Sequence, residues 1–311
     1  MQMSPPVFPA LALRDNPTVF SELEPPARLG VFGDPVAHSI SPAMHNAALK
    51  KDGYAIQYVR LHAKANEFAA AARALPSAGF LGANVTIPHK TAALAVCDHV
   101  DEHAIVAGAV NTLLVDGTEL YGFSTDGPGF VRAVREEFLV DLRDLRVMVL
   151  GAGGGAGRSI AVQCALEKCE RLVLVNRTGE KAFALAKELQ PRFRSDRLVG
   201  PAERCLAVPW EEKALAAALD GCDLLVNATS VGLRRTDPPV IPPHLITPNL
   251  LVFDTVYVNG RTKLVENAIA NGARACNGLS MLLHQGALSY EIWMNRTAPL
   301  EEMRQALLHA H

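Results

Sequence analysis

The sequence predicts an α/β fold in two domains, and three observations carry that prediction. At 311 residues the chain exceeds the usual length of one domain. Short apolar runs alternate with helical segments along most of it, the pattern of strands joined through helices. One stretch is more telling. The run Arg146–Leu150, the turn Gly151–Gly157, the helical segment Arg158–Cys169 and the run Leu172–Val175 follow in the order strand, glycine turn, helix, strand. That order opens a Rossmann-like dinucleotide-binding unit.

The turn explains its own composition. Glycine lets the backbone bend sharply out of a strand and approach a pyrophosphate, which then sits on the free N–H groups of the helix start. Gly151, Gly153, Gly154, Gly155 and Ala156 are the candidates for that contact. The second strand ends in Asn176, Arg177 and Thr178, with Lys181 three residues on. An NAD site usually places a carboxylate there for the ribose 2′-hydroxyl. A guanidinium pairs with a 2′-phosphate instead, so the expected cofactor is NADP.

In chain order, 1–27 holds six prolines and reads as a loose extension with a few ordered turns. Arg28–Gly33 is the first strand, and a polar loop leads to a helix that Ser41 can cap, with Pro42 in its first turn. Ile56–Arg60 and Phe80–Val85 are strands, with an alanine-rich helix at Ala65–Ala74 between them. Thr91–Cys97 and Glu102–Ala107 are helical. Ala109–Val115 and Thr118–Gly122 form a hairpin at Asp116-Gly117, which makes the first sheet mixed. Phe130–Phe138 is a helix that bridges into the second domain. There Lys181–Leu189, Lys213–Leu219 and Lys263–Asn271 read as helices, and Asp223–Val226, Leu251–Asp254 and Arg274–Cys276 as strands. Val231–Pro248, with five prolines, is an irregular loop, and Gln190–Ala207 has no clear assignment. Met281–Trp293 and Leu300–Leu308 are helices. The expected domains are an extension over 1–27, a first domain over 28–126 and a dinucleotide-binding domain over 127–285.

Bulk properties narrow the function. Hydrophobic residues are 49% and charged residues 20%, suited to a soluble α/β core. A formal charge of −2 offers no basic excess for nucleic acid. Six scattered cysteines form no C-x-x-C pair, and His38, His45 and His89 match no ligand spacing, so no metal is expected. The start has no secretory pattern and no apolar stretch reaches membrane-spanning length, so a cytoplasmic protein without a membrane partner is expected.

Separated motifs resemble the shikimate dehydrogenase family from about Arg28 to Trp293. They are His38-Ser39-Ile40-Ser41-Pro42 with His45-Asn46, Asn84-Val85-Thr86-Ile87-Pro88-His89-Lys90, Gly108 to Thr112, Thr125-Asp126-Gly127, Asn227 to Gly232, Asp254 to Tyr257, Gly278, and Gln285-Gly286-Ala287. The resemblance implies NADPH-dependent, reversible reduction of 3-dehydroshikimate to shikimate, in the pathway to chorismate and the aromatic amino acids. It implies that the C-terminal helices, from about 286, return to the first domain. Ser39 and Ser41 would bind the ring carboxylate. Thr86, Asn111 and Gln285 would hold ring hydroxyls with Tyr257 close by, and Lys90 and Asp126 would act at the reacting oxygen. Thr229, Ser230 and Gly278 would border the cofactor.

Ketone reduction needs a hydride donor and a proton source at the developing alkoxide. Lysine can donate the proton or act as a positioned cation while water carries it. Asp126, before Gly127, is also placed to cap a helix. The sequence departs from the family at Ser124, where asparagine is usual, at Asn259, often proline, and in an extra glycine of the turn. A quinate/shikimate dehydrogenase with broader substrate or cofactor use, or a non-catalytic NADP(H)-binding sensor, are the alternatives. Serine at both 39 and 41 resembles the shikimate-selective members. A monomer or a homodimer fits equally.

Overall fold

The computed structural model describes residues 6–193, 204–258 and 260–310. The expected departure at Asn259 and most of the unassigned stretch 190–207 therefore lie outside the described residues. The chain divides into two compact units, Met1–Thr125 with Leu282–His311, and Asp126–Met281.

The first unit is built on a seven-stranded mixed sheet. Its strands are β1 (Val7–Pro9), β2 (Ala27–Gly33), β3 (Gln57–His62), β4 (Gly82–Val85), β5 (His99–Val100), β6 (Thr112–Asp116) and β7 (Glu119–Phe123), in the order β1-β3-β2-β4-β6-β7-β5. β1 to β4 pair in parallel, whereas β6 is antiparallel to both β4 and β7. The hairpin stands where the Asp-Gly signal put it, with Gly117 at φ +59° as that turn requires.

Alternation along the strands gives the sheet two apolar faces. One carries Phe32, Val59 and Leu61 toward Phe20, Phe68 and Phe80. The other carries Leu29, Val31 and Tyr58 toward Met44 and Leu49 of the helix Ser41–Lys51. Leu283, Ala287, Tyr290, Trp293, Met303 and Leu307 of the helices Leu279–Met294 and Leu300–Ala310 share that second core. The C-terminal helices thus return to the first sheet.

The order in 6–27 exceeds the few turns expected of the extension. β1 pairs with β3, the short helices Ala12–Asp15 and Thr18–Ser21 follow, and Ala10, Leu13 and Phe20 are fully buried. Prolines exclude long elements but not short ones. Burying a Leu or Phe side chain is worth roughly 1.5–3 kcal/mol, enough to fix so short a segment.

The second unit holds a parallel sheet of β8 (Arg146–Leu150), β9 (Arg171–Val175), β10 (Cys205–Ala207), β11 (Leu224–Asn227), β12 (Leu251–Asp254) and β13 (Arg274–Cys276), in the order β10-β9-β8-β11-β12-β13. This is the doubly wound order, which reverses direction between β8 and β11 and leaves a crevice at their carboxyl ends. The helix Asp126–Phe138 begins four residues before the expected Phe130, and the helix Gly155–Leu166 three before the expected Arg158. Apolar periodicity marks the body of a helix, and the polar or glycine-rich first turn carries none. No helix among the described residues is long and apolar enough to cross a membrane.

Candidate functional site

The second unit carries a cavity of about 690 Å³ lined by Gly151, Gly153, Gly154, Asn176, Arg177, Thr178, Lys181, Trp210, Ala228, Thr229, Ser230 and Val231. It lies at the switch point the strand order creates. Gly151, at φ +83°, turns the chain out of β8. A Cβ on Gly157 would stand 2.1 Å from the Gly151 carbonyl oxygen, so this glycine lets the helix close on the turn. Gly157 fills the packing role of the fingerprint, a role the sequence reading gave to no particular glycine. Gly154 is the N-cap of Gly155–Leu166 and no side chain caps it, which leaves the N–H groups of Gly155 and Ala156 at an anion-favouring helix start.

Two hydrogen-bonded loops frame the turn. Asn176 Oδ1 accepts from the Gly153 N–H (3.4 Å) while its Nδ2 donates to the Thr178 carbonyl (3.0 Å), tying the end of β9 to the glycines. On the β11 side, Asp254 is buried and accepts from Asn227 Nδ2 (2.8 Å), Thr262 Oγ1 (2.6 Å) and the Val256 N–H (3.1 Å). Burial, the largest influence, raises its pKa above the ordinary carboxylate value. Asn227 Oδ1 in turn accepts from the N–H and hydroxyl of Thr229 (3.1 and 2.7 Å). Thr229 is thereby fixed at the cavity wall. Arg177 and Lys181 are exposed at the opposite edge, where no carboxylate follows β9 in the motif Asn176-Arg177-Thr178. This donor set fits a nucleotide with an extra phosphate. Trp210 escaped the sequence reading, because nothing local marks a loop residue as cavity lining, whereas Ala228 and Val231 lie in the motif Asn227 to Gly232. Gly278 does not line the cavity. A Cβ there would meet the Thr255 carbonyl at 2.1 Å, so its glycine serves close passage beside the end of β12.

In the first unit, the remaining candidates gather at one end of the sheet. β2 and β4 are parallel, so the loops after them, bearing Ser39 and Ser41 and bearing Thr86 and Lys90, emerge side by side. β6 is antiparallel to β4, so Asn111, just before it, lies at the same end, and its carbonyl accepts from the Val85 N–H (2.8 Å). The expected cap at Ser41 is corrected: Ser41 is the first helical residue, and Ser39 Oγ accepts from its N–H at 3.3 Å. Ser39 therefore performs the service expected of Ser41.

Asn111 is held by a buried polar cluster. Its Oδ1 accepts from the Thr125 N–H (2.8 Å), which fixes the amide so that Nδ2 donates to Thr125 Oγ1 (2.8 Å) and Gln285 Oε1 (3.2 Å). Beneath it, Tyr58 Oη donates to Asn84 Oδ1 (2.8 Å), and Asn84 Nδ2 donates to Ser289 Oγ (2.9 Å) and the Asn111 carbonyl (3.1 Å). The Thr112 hydroxyl joins Ser289 (2.8 Å) to Asn111 Oδ1 (3.1 Å). Tyr58, Thr112, Thr125 and Ser289 went unnoticed in the sequence as parts of one cluster, since Asn84 and Ser289 are 205 residues apart. Replacing Thr112 by valine keeps the shape and strips Asn84, Asn111, Thr125 and Ser289 of a partner. Stability is expected to fall by about 2 kcal/mol, read from the denaturant midpoint, with Thr112→Ser close to the parent.

His45 and His89 are packed in the interior, whereas His38 is exposed. His89 is buried, stacked on Phe68 at 4.6 Å, with its ring nitrogen 2.7 Å from the Ala63 carbonyl. His45 stacks on Tyr58 at 4.4 Å, and burial pushes its pKa down to about 3, so it is neutral. Among the described residues no cluster of three or more His, Cys, Asp or Glu is arranged to hold a metal. Two candidates belong to the second unit: Asp126 opens its first helix, and Tyr257 follows β12, its phenol pKa raised by burial.

A doubly wound parallel sheet with a glycine turn and a cavity at its switch point defines an α/β protein of the dinucleotide-binding class. The model of the shikimate dehydrogenase substrate binding domain matches residues 31–113, and that of the shikimate 5'-dehydrogenase C-terminal domain matches 278–308. A shikimate dehydrogenase (NADP(+)) of Methanopyrus kandleri is 40% identical over 282 residues, 90% of this chain and 94% of the relative. That of Geobacillus kaustophilus is 37% identical over 282 residues, covering 90% and 97%. The crystal structure of shikimate 5-dehydrogenase from Thermus thermophilus in complex with NADP(H) and shikimate superposes with a TM-score of 0.80 at 35% identity, covering 92% of this chain and all of that one. The chain belongs to the shikimate dehydrogenase family.

Proposed function

We propose that the chain is an NADP-dependent shikimate dehydrogenase, reversibly reducing 3-dehydroshikimate to shikimate. The observation that carries this reading is its full-length likeness to a shikimate 5-dehydrogenase solved with both NADP(H) and shikimate. The geometry of each unit supports it. Gly151, Gly153, Gly154, Gly155 and Ala156 would receive the pyrophosphate, Arg177, Thr178 and Lys181 the 2′-phosphate, and Thr229 and Ser230 the far wall. The bound cofactor supplies the hydride.

The chain's own residues do the rest. Ser39 and Ser41 bind the ring carboxylate, and Thr86, Asn111 and Gln285 hold ring hydroxyls, with Tyr257 as a further contact. Lys90 delivers the proton to the ketone oxygen or stabilises it as a cation. Asp126 accepts a hydrogen bond from the substrate hydroxyl.

Initial rates with shikimate and quinate, each with NADP⁺ and NAD⁺, test the reading. Shikimate with NADP⁺ is expected to be the best pair, and Arg177→Ala to reduce the preference for NADP⁺ over NAD⁺ by about 10–100-fold. A quinate rate at or above that of shikimate, or a preference for NAD⁺, would sink it.

A further inference from the structure

We infer that Arg60 is a positioning residue of the carboxylate subsite, which makes that subsite selective for an anionic substrate. The inference rests on the reading of Ser39 and Ser41 as carboxylate-binding. Arg60 lies near the carboxyl end of β3 on the face shared with Tyr58, and it is only 5% exposed. A buried guanidinium is costly and needs partners that use it. Its Nε and Nη2 both donate to the Ser39 carbonyl, at 2.9 and 2.6 Å.

That fork sets the loop. β2 and β3 are parallel, so the loop leaving β2 passes over the end of β3. With the Ser39 carbonyl drawn toward Arg60, the planar trans peptide points the Ile40 N–H the opposite way. The same residue's hydroxyl accepts from the Ser41 N–H at 3.3 Å, which opens the helix Ser41–Lys51 with no side-chain cap at Ile40. Two hydroxyls and the start of that helix are thus presented together, with a fixed positive charge beneath them. Asp34, the one carboxylate between β2 and the helix, pairs with His62 at 3.0 Å. A planar anion is favoured at such a place by charge and by N–H direction.

The test compares shikimate with its uncharged methyl ester. Arg60→Met is expected to raise the KM for shikimate about tenfold while the ester's KM changes less than about twofold. The kcat and the KM for NADP⁺ should stay within about twofold, since the Arg60 fork acts on the carboxylate loop. If Arg60→Met does not fold, judged by NADP⁺ binding and thermal melting, Arg60→Lys carries the comparison. It keeps the charge without the fork and should raise the shikimate KM about threefold with the ester unaffected. Equal increases for acid and ester, or no increase for either, would overturn the inference. Ser39→Ala separates the two levels: an unchanged shikimate KM in that variant defeats the carboxylate reading itself. A raised KM there with an unchanged one in the Arg60 variants defeats only the role of Arg60.

Discussion

Replacing Lys90 by alanine is expected to lower kcat for shikimate oxidation about 10³-fold while leaving the dissociation constant of NADPH unchanged. The split follows from where the groups lie. Every residue lining the nucleotide cavity belongs to Asp126–Met281, whereas Lys90 follows β4 in the first unit. The loop that presents it is firmly seated: the Thr86 N–H donates to the Phe32 carbonyl (2.9 Å), His89 is locked beneath, and the Lys90 carbonyl accepts from the Val110 N–H (2.9 Å). Truncating the side chain therefore removes a charge and a proton donor from a backbone that stays in place. Isothermal titration with NADPH beside steady-state rates checks both halves. Turnover within about threefold of the parent would remove Lys90 from the chemistry.

Gly157→Ala should be among the most damaging single methyl additions in the second unit. The added Cβ would stand 2.1 Å from the Gly151 oxygen and 2.7 Å from its carbon, backbone against backbone, with no flexible side chain to give way. Either the helix withdraws or the turn opens. Both spoil the donor geometry at the helix start. A stability loss of about 3 kcal/mol and at least about a hundredfold weaker NADP⁺ binding are expected, measured by chemical denaturation and by titration. Gly155→Ala is the control. Nothing lies within 4 Å of a Cβ there, and alanine in a helix is worth about 0.5–1 kcal/mol over glycine, so stability should hold or rise. Equal tolerance at both positions would refute the packing role of Gly157.

Much of the second unit was legible because its signals are local. An apolar run, a glycine cluster and Asn176-Arg177-Thr178 are contiguous, and the geometry they require acts within a few residues. Seven of the cofactor candidates from that stretch line the cavity for that reason: Gly151, Gly153, Gly154, Asn176, Arg177, Thr178 and Lys181; Thr229 and Ser230, which the family resemblance implied, line it as well. In the first unit the motif residues stand in the sequence, but strand pairing sets their common location. That β4 runs parallel to β2 and antiparallel to β6 is a property of the sheet, and it alone brings Ser39, Thr86, Lys90 and Asn111 to one end.

By itself the sequence determined the α/β class, the hairpin at Asp116-Gly117, the glycine turn and the cationic end of β9, since each depends on backbone freedom or charge within a short stretch. Only the tertiary structure decided that Val7–Pro9 completes the first sheet, that Ser289 from the helix Leu279–Met294 meets Asn84 and Thr112, that Gly157 must yield to Gly151, and that Arg60 grips Ser39. These are contacts between residues far apart in the chain or packed backbone to backbone. Their energies come from burial and from satisfying polar groups out of water, which no local pattern encodes.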